Sequence, residues 1–421
     1  MTFAVAALLI FIAGYVLVIG EETLELKKSK PVVLAAGLIW LLVGLAFRGG
    51  EHAQIEAAAG NAIRDYGELL LFLLVSITFV NVLEERRVFD ALRARLVTMG
   101  LSYRGLFWVI GAASFMLSIV LANMTTAMVL GAVALGLGRG QSKFITLTCI
   151  NIVVASNAGG AFCPFGDVTS LMVWQAGKLA FWPFFKLFIP ALVSWLIPAL
   201  IMSFALPNGK PNSAQLRVAT KPGAYIIIAL FAVSIGFTVY MQVVLGLAPV
   251  FGMVLGLGLL QAFAFVLQRR GKRQERADMV LDSFAEMQRV EWDTLLFFFG
   301  IMLSLAGLGV FGWLTLLQTS VYDGLGVFWA NAAVGILSAL LDNVPLVYAV
   351  LQMNPAMDQH GWLLLTLSAG VGGSLLSIGS AAGVALMGQA GKNYTFMQHL
   401  KWMPAIALGF AAAIGLHGLL N

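Results

Sequence analysis

Nearly charge-free apolar stretches recur along the whole chain, and each is close to the roughly 20 residues that cross a bilayer as a helix. They occupy residues 1–20, 31–47, 67–84, 144–180, 182–206, 222–243, 248–268, 291–313, 361–391 and 396–420. Only 11% of the 421 residues are charged and 60% are hydrophobic, against about 25% charge in a soluble domain. So few charges cannot cover a soluble sphere. The reading is an all-α polytopic membrane protein with lipid as a partner. Glycine, at 45 residues, suits close helix packing and broken helices. The net charge of +5 sits in loops and does not point to nucleic acid. Cys149 and Cys163 make no disulfide framework, and four scattered histidines give no transition-metal or haem spacing. The first run lacks the basic start and small-residue cleavage site of a signal peptide, so it reads as a lead-in helix.

Two further apolar stretches, 105–138 and 324–355, are too long for one helix. Polar residues interrupt each in its middle, LANMTT at 121–126 and LDNVP at 341–345. Re-entrant hairpins fit, because non-helical backbone at membrane depth must be buried in protein. The expected total is about eleven transmembrane helices plus two hairpins. Basic loops mark the cytoplasmic side. These are Lys27, Lys28 and Lys30; Arg86, Arg87, Arg93, Arg95 and Arg104; Lys210, Arg217 and Lys221; and RRGKRQER at 269–276. The connection 48–66, with Glu51, Glu56 and Asp65, suits the outside, which places the N-terminus outside too. Glu84, Glu85 and the following arginines read as a solvated helix on the cytoplasmic face.

The chain then divides. Residues 1–30 are the lead-in helix and loop, 31–206 a first repeat, 207–221 a linker and 222–421 a second repeat. Glu68-Leu-Leu-Leu-Phe resembles Asp293-Thr-Leu-Leu-Phe. Ser118, Leu121 and Asn123 recur as Ser338, Leu341 and Asn343, each 220 residues later. Gly159, Gly160 and Gly166 recur as Gly372, Gly373 and Gly379, each 213 later. The basic loops invert one repeat against the other. Inverted repeats with interrupted helices point to a secondary transporter whose site is at the midplane.

Chemistry concentrates at the interruptions. In 155–170, ASNAGGAFCPFGDVTS, three glycines and Pro164 oppose a continuous helix. Ser156, Asn157, Thr169 and Ser170 supply oxygens and Asp167 a carboxylate, the hard ligands that Na⁺ takes at unwound helices. A charge at the bilayer centre costs about 2.5–3.5 kcal/mol, so Asp167 reads as functional rather than as a solvated cap. The second break, 361–391, has the same glycines with Ser374, Ser377 and Ser380 and no acid; small-residue packing would also explain it. Asp342 and Asn343 occupy one hairpin tip, where Asp342 could be a cation ligand, a proton carrier or an N-cap. Asn123 occupies the other tip beside Thr125 and Thr126. Glu68 and Asp293 read as proton-linked acids or as carboxylates favoured at a helix start. No HExxH, GxSxG or P-loop pattern occurs, so neither enzyme chemistry nor ATP-driven transport is expected.

Taken together, SNAGGAFCPFGDVTS, EWDTLLFF from Glu291, SALLDNVP and GGSLLSIGSAAG resemble the NhaD-type sodium/proton antiporters. These belong to the ion transporter superfamily, whose fold includes divalent anion/sodium symporters. The resemblance covers the chain from about residue 67. It implies two inverted repeats with hairpins 105–138 and 324–355 and broken helices 144–180 and 361–391. It also implies a homodimer and exchange of Na⁺ or Li⁺ for H⁺ in a bacterial inner membrane, with no cofactor. The family's functional positions fall on Glu68, Asn157, Asp167, Thr169, Asp293, Ser338 and Asn343, with Ser170 where a second threonine is usual. Ser377 and Ser380 fall in the serine-bearing break. The chain departs from the family at the first tip, which carries Ala122-Asn123 where paired aspartates are common. A sodium-coupled anion symporter on the same fold and a passive channel are the alternative functions.

Overall fold

The computed structural model describes residues 2–48, 50, 52–211 and 218–421; Glu51 and Arg217, used above to assign loops, lie outside the described residues. Among the described residues there is helix and no strand. The helices that position the site are α1 (Thr2–Ile19), α2 (Ser29–Ala46), α3 (His52–Glu85), α4 (Val88–Thr98), α5 (Tyr103–Leu117), α6 (Asn123–Leu137), α7 (Ser142–Ala161), α8 (Val168–Gln175) and α9 (Phe188–Ser203). They continue with α10 (Ala224–Val243), α11 (Val250–Arg273), α12 (Trp292–Val310), α13 (Gly324–Leu337), α14 (Asn343–Met353), α15 (Gln359–Gly372), α16 (Ala381–Ala390) and α17 (Met403–Leu420). Ten helices among the described residues are long and apolar enough to cross a membrane, where about eleven were expected. The run 361–391 yields two shorter helices, α15 and α16, while the helical stretch 313–337, an arm of the second expected hairpin, joins the ten.

The core is built on α7, whose residues from Phe144 to Ala161 are all buried. Its Thr146, Thr148, Asn151, Ser156 and Asn157 are polar groups that lipid cannot satisfy, and α5, α6, α9 and α15 cover them. Around this core α2 packs on α12 and α1, α3 on α11 and α12, and α9 on α17. Small residues set the closest approaches: Gly300 of α12 leaves no room for a side chain against the Val32 backbone of α2.

Two expectations change. α3 spans 34 residues and begins at His52, so most of the connection 48–66 is helix rather than loop. Its start, AQIEAAAGNAIRD, is rich in alanine, the strongest helix former, and needs no membrane to be helical. Glu68 is therefore well inside a helix, and the pull of a helix start on its charge does not apply. The basic segment after Glu85 does form α4, but Arg86 is fully buried rather than solvated. Its guanidinium pairs with Glu85 and donates to the carbonyls of Asp278 at 3.0 Å and Val280 at 2.7 Å. It ties the end of α3 to the segment after α11.

Candidate functional site

The first break separates α7 from α8. Gly166 N–H donates to the Cys163 carbonyl at 3.0 Å, closing a turn between the two helices. The chain folds back so tightly that a Cβ on Gly159 would stand 2.1 Å from the Phe115 carbonyl oxygen, and one on Gly166 2.6 Å from that of Ser118. The second break, between α15 and α16, meets its neighbours in the same way. A Cβ on Gly372 would stand 2.0 Å from the Gly335 oxygen, and one on Gly379 2.6 Å from that of Ser338.

Asp167 caps α8: its Oδ1 accepts from Thr169 N–H at 3.0 Å. Its Oδ2 accepts from Asn123 Nδ2 at 2.8 Å and from Asn343 Nδ2 at 3.2 Å. Asn123 opens α6 and Asn343 opens α14, so one carboxylate oxygen collects an amide from each expected tip. Ser118 Oγ donates to Asn123 Oδ1 at 2.6 Å and fixes which end of that amide faces the acid. The carboxylate is 8% exposed, and among the described residues no basic group pairs with it. A buried charge without a counter-ion is costly, and amide donors offset only part of that cost.

Asn157 bridges the two breaks, donating from Nδ2 to Ser374 Oγ at 2.9 Å. Its Oδ1 is buried without a partner, as are Thr169 Oγ1, Ser377 Oγ and Thr126 Oγ1. Each unsatisfied buried group costs about 1–3 kcal/mol. Thr169 follows Asp167 by two residues, Thr126 follows Asn123 by three, and Asn157 and Ser377 belong to the two breaks; their lone pairs are candidates for a cation. The other hydroxyls are engaged. Ser156 Oγ donates to Val153 O at 3.1 Å, Ser170 Oγ to Gly160 O at 3.4 Å and Ser338 Oγ to Ala369 O at 2.8 Å. Ser380 Oγ accepts from Gly383 N–H at 3.3 Å and caps α16.

Three acids stand outside this cluster. Asp342 caps α14 through Val344 N–H at 3.3 Å and faces Lys28 Nζ at 3.7 Å. Asp293, in the first turn of α12, accepts from Ser29 Oγ. Glu68 lines a separate pocket. Sequence reasoning did not single out Thr126, although its motif was visible. It missed Lys28 because nothing local connects that residue to Asp342. His399 is fully buried, its Nε2 2.9 Å from the Ser374 carbonyl and its Nδ1 2.7 Å from Tyr394 Oη, so it holds the second break.

Residues 15–370 match the family described as CitMHS, citrate transporter. The chain is 48% identical over 99% of its length to the "Na(+)/H(+) antiporter NhaD" of Halomonas elongata, covering 88% of that protein. It is 46% identical over 100% of its length to the protein of that name from Vibrio cholerae, covering 92% of it. The chain belongs to the NhaD-type antiporters of the citrate-transporter family. Similarity extends to plants: "Sodium/proton antiporter 1" of Arabidopsis thaliana is 32% identical over 99% of this chain. For an NhaD-type protein the absence of an ATP-binding motif is in keeping with transport driven by ion gradients.

Proposed function

We propose that this protein exchanges Na⁺ or Li⁺ for H⁺ across a bacterial inner membrane as a secondary active transporter, with Asp167 as the shared binding group. The observation that carries this is the buried carboxylate held by Asn123 and Asn343, with partnerless oxygens on Asn157, Thr169, Ser377 and Thr126 of the breaks and the first tip helix. A carboxylate in such a place holds a proton or a cation, and the two exclude one another. That exclusion couples their opposite movements.

Alternating access is the reading of the architecture. Packing supports two inverted repeats: α1 on α2 recurs as α10 on α11, α5 on α7 as α13 on α15, and α6 on α16 as α14 on α8. The glycine contacts at Phe115 and Ser118 recur at Gly335 and Ser338. In this pairing α1 is the counterpart of α10, so the first repeat starts at the lead-in helix. The tips 118–122 and 338–342 would be re-entrant, the N-terminus outside, and two copies would form a dimer, as the resemblance implies. Ser156, Ser170, Ser338 and Ser380 shape the breaks, and Asp342, Glu68 and Asp293 serve the ion path at a distance.

The match to a citrate-transporter family favours a second reading, a sodium-coupled carboxylate symporter. An anion pocket would need positive charge, and among the described residues none pairs with Asp167. Proteoliposomes separate the readings. A sodium jump without organic anion should move internal pH in wild type, and folded Asp167→Asn should lose at least nine-tenths of that signal. Sodium uptake that requires citrate and leaves pH unchanged would replace exchange with symport.

A further inference from the structure

A second pocket, of mixed polar and apolar lining, lies at the far ends of the two helices that meet at Asp167. Eight residues of α8 place Gln175 about 12 Å from Asp167. α14 runs alongside from Asn343 past Tyr348 to Gln352. With α3 they line about 120 Å³, where Asp65, Glu68, Tyr348, Gln175 and Gln352 stand among apolar side chains such as Leu69, Met172 and Met302. Asp65 and Glu68 are three apart on α3 and so share a face. Neither has a hydrogen bond or ion pair among the described residues; Arg64, next to Asp65, gives its guanidinium to Asn61 at 3.2 Å instead. Tyr348 is 2% exposed and its hydroxyl has no partner, nor has the Gln175 amide nitrogen.

Two adjacent carboxylates repel each other, Arg64 beside them offsets part of that, and a shared proton or a bound cation relieves the rest. The volume equals about four waters at roughly 30 Å³ each, enough for a small ion with part of its shell and too little for a tricarboxylate. The donors are hard oxygens, which suit an alkali ion or calcium alike; a role in supplying Na⁺ to Asp167 selects the alkali ion. We propose that Asp65, Glu68, Tyr348 and Gln175 form a second site, for a small alkali cation, that serves as an antechamber to Asp167. The intervening step is aromatic. Phe72, the next turn of α3 after Glu68, stacks on Phe165 of the first break with centroids 5.9 Å apart. The pocket's one-sign charge would concentrate cations at the entrance. Binding there does not depend on the exchange reading, whereas its role as an antechamber does.

The test is ²²Na⁺ binding to purified protein in detergent, with gel filtration reporting folding. Wild type should bind about two ions per chain. Asp167→Asn and the pair Asp65→Asn/Glu68→Gln should each bind about one. In the Asp167→Asn background, Tyr348→Phe, which keeps the ring packing, should weaken the remaining site about tenfold. Folded Asp167→Asn protein that binds no sodium would overturn the antechamber and leave exchange at the breaks standing. Sodium kept by Asp65→Asn/Glu68→Gln at full wild-type stoichiometry would overturn it as well. Binding lost only from Asp65→Asn/Glu68→Gln and untouched by Asp167→Asn would establish the pocket and remove the breaks from the account. Displacement of the ion by equimolar calcium would overturn the alkali assignment.

Discussion

Asn123 stands 2.8 Å from Asp167 and is neutral, so the site holds one carboxylate. Asn123→Asp would set a second acid within hydrogen-bond distance. Two carboxylates so close share a proton and release it in coupled steps. The expected result is more protons moved per Na⁺, read as a shifted reversal potential in proteoliposomes at fixed Na⁺ and pH gradients. An unchanged ratio would mean that the second acid does not exchange its proton. Asn343→Ala removes one donor to a charged group and should raise the half-saturating Na⁺ concentration about tenfold, with the maximal rate less affected. Asp167 itself was legible in the sequence, because a carboxylate inside an apolar run has no inexpensive structural use. Its partners were less so. Asn123 and Asn343 come from 44 and 176 residues away, and only the repeated spacing of the two tips drew attention to them. The division of labour among the hydroxyls was not legible at all. Ser338 and Ser380 look like Ser377 in sequence, yet only Ser377 lacks a hydrogen-bond partner.

The two breaks were readable as elements because glycines, joined by Pro164 in the first, interrupt otherwise apolar runs. Their tolerance of change follows from what each glycine faces. A methyl at Gly159 or Gly372 would press on a backbone carbonyl that has no rotamer to escape into. Gly159→Ala and Gly372→Ala should each cost about 1–3 kcal/mol and lower the thermal aggregation midpoint in detergent. Gly236→Ala, in α10 with nothing within 4 Å, should be neutral or gain up to about 1 kcal/mol of helix propensity. Equal effects at Gly159 and Gly236 would contradict the tight backbone approach. Helix starts were less readable than helix breaks. Hydropathy located the membrane-length part of α3, but its polar first turns are helical by alanine content, a signal that span-finding ignores. The spanning count shifted for a similar reason, since a hydropathy run does not say whether it is one helix or two.

The sidedness proposed for the whole molecule rests on its basic loops. Cys149 and Cys163 are both buried, so single cysteines added elsewhere should report cleanly. Cysteines in 269–276 should react only from the cytoplasm and those in 52–60 only from outside; labelling of both from one side would end the inverted arrangement. The class of fold was legible from charge and hydropathy alone, whereas the pairing of helices was not, because lipid-facing and protein-facing apolar residues look alike. That pairing has a consequence for the chain's continuity. The extensive contacts of α2 on α12, α9 on α17 and α7 on α15 all join residues before 207 to residues after 221. The protein is thus built like an obligate heterodimer whose subunits happen to share one peptide thread. Fragments ending at Lys210 and beginning at Val218, co-expressed as separate polypeptides, should copurify through a tag on either one and regain exchange. Each produced alone would expose a core face that lipid cannot satisfy, and should be cleared by the cell's proteases.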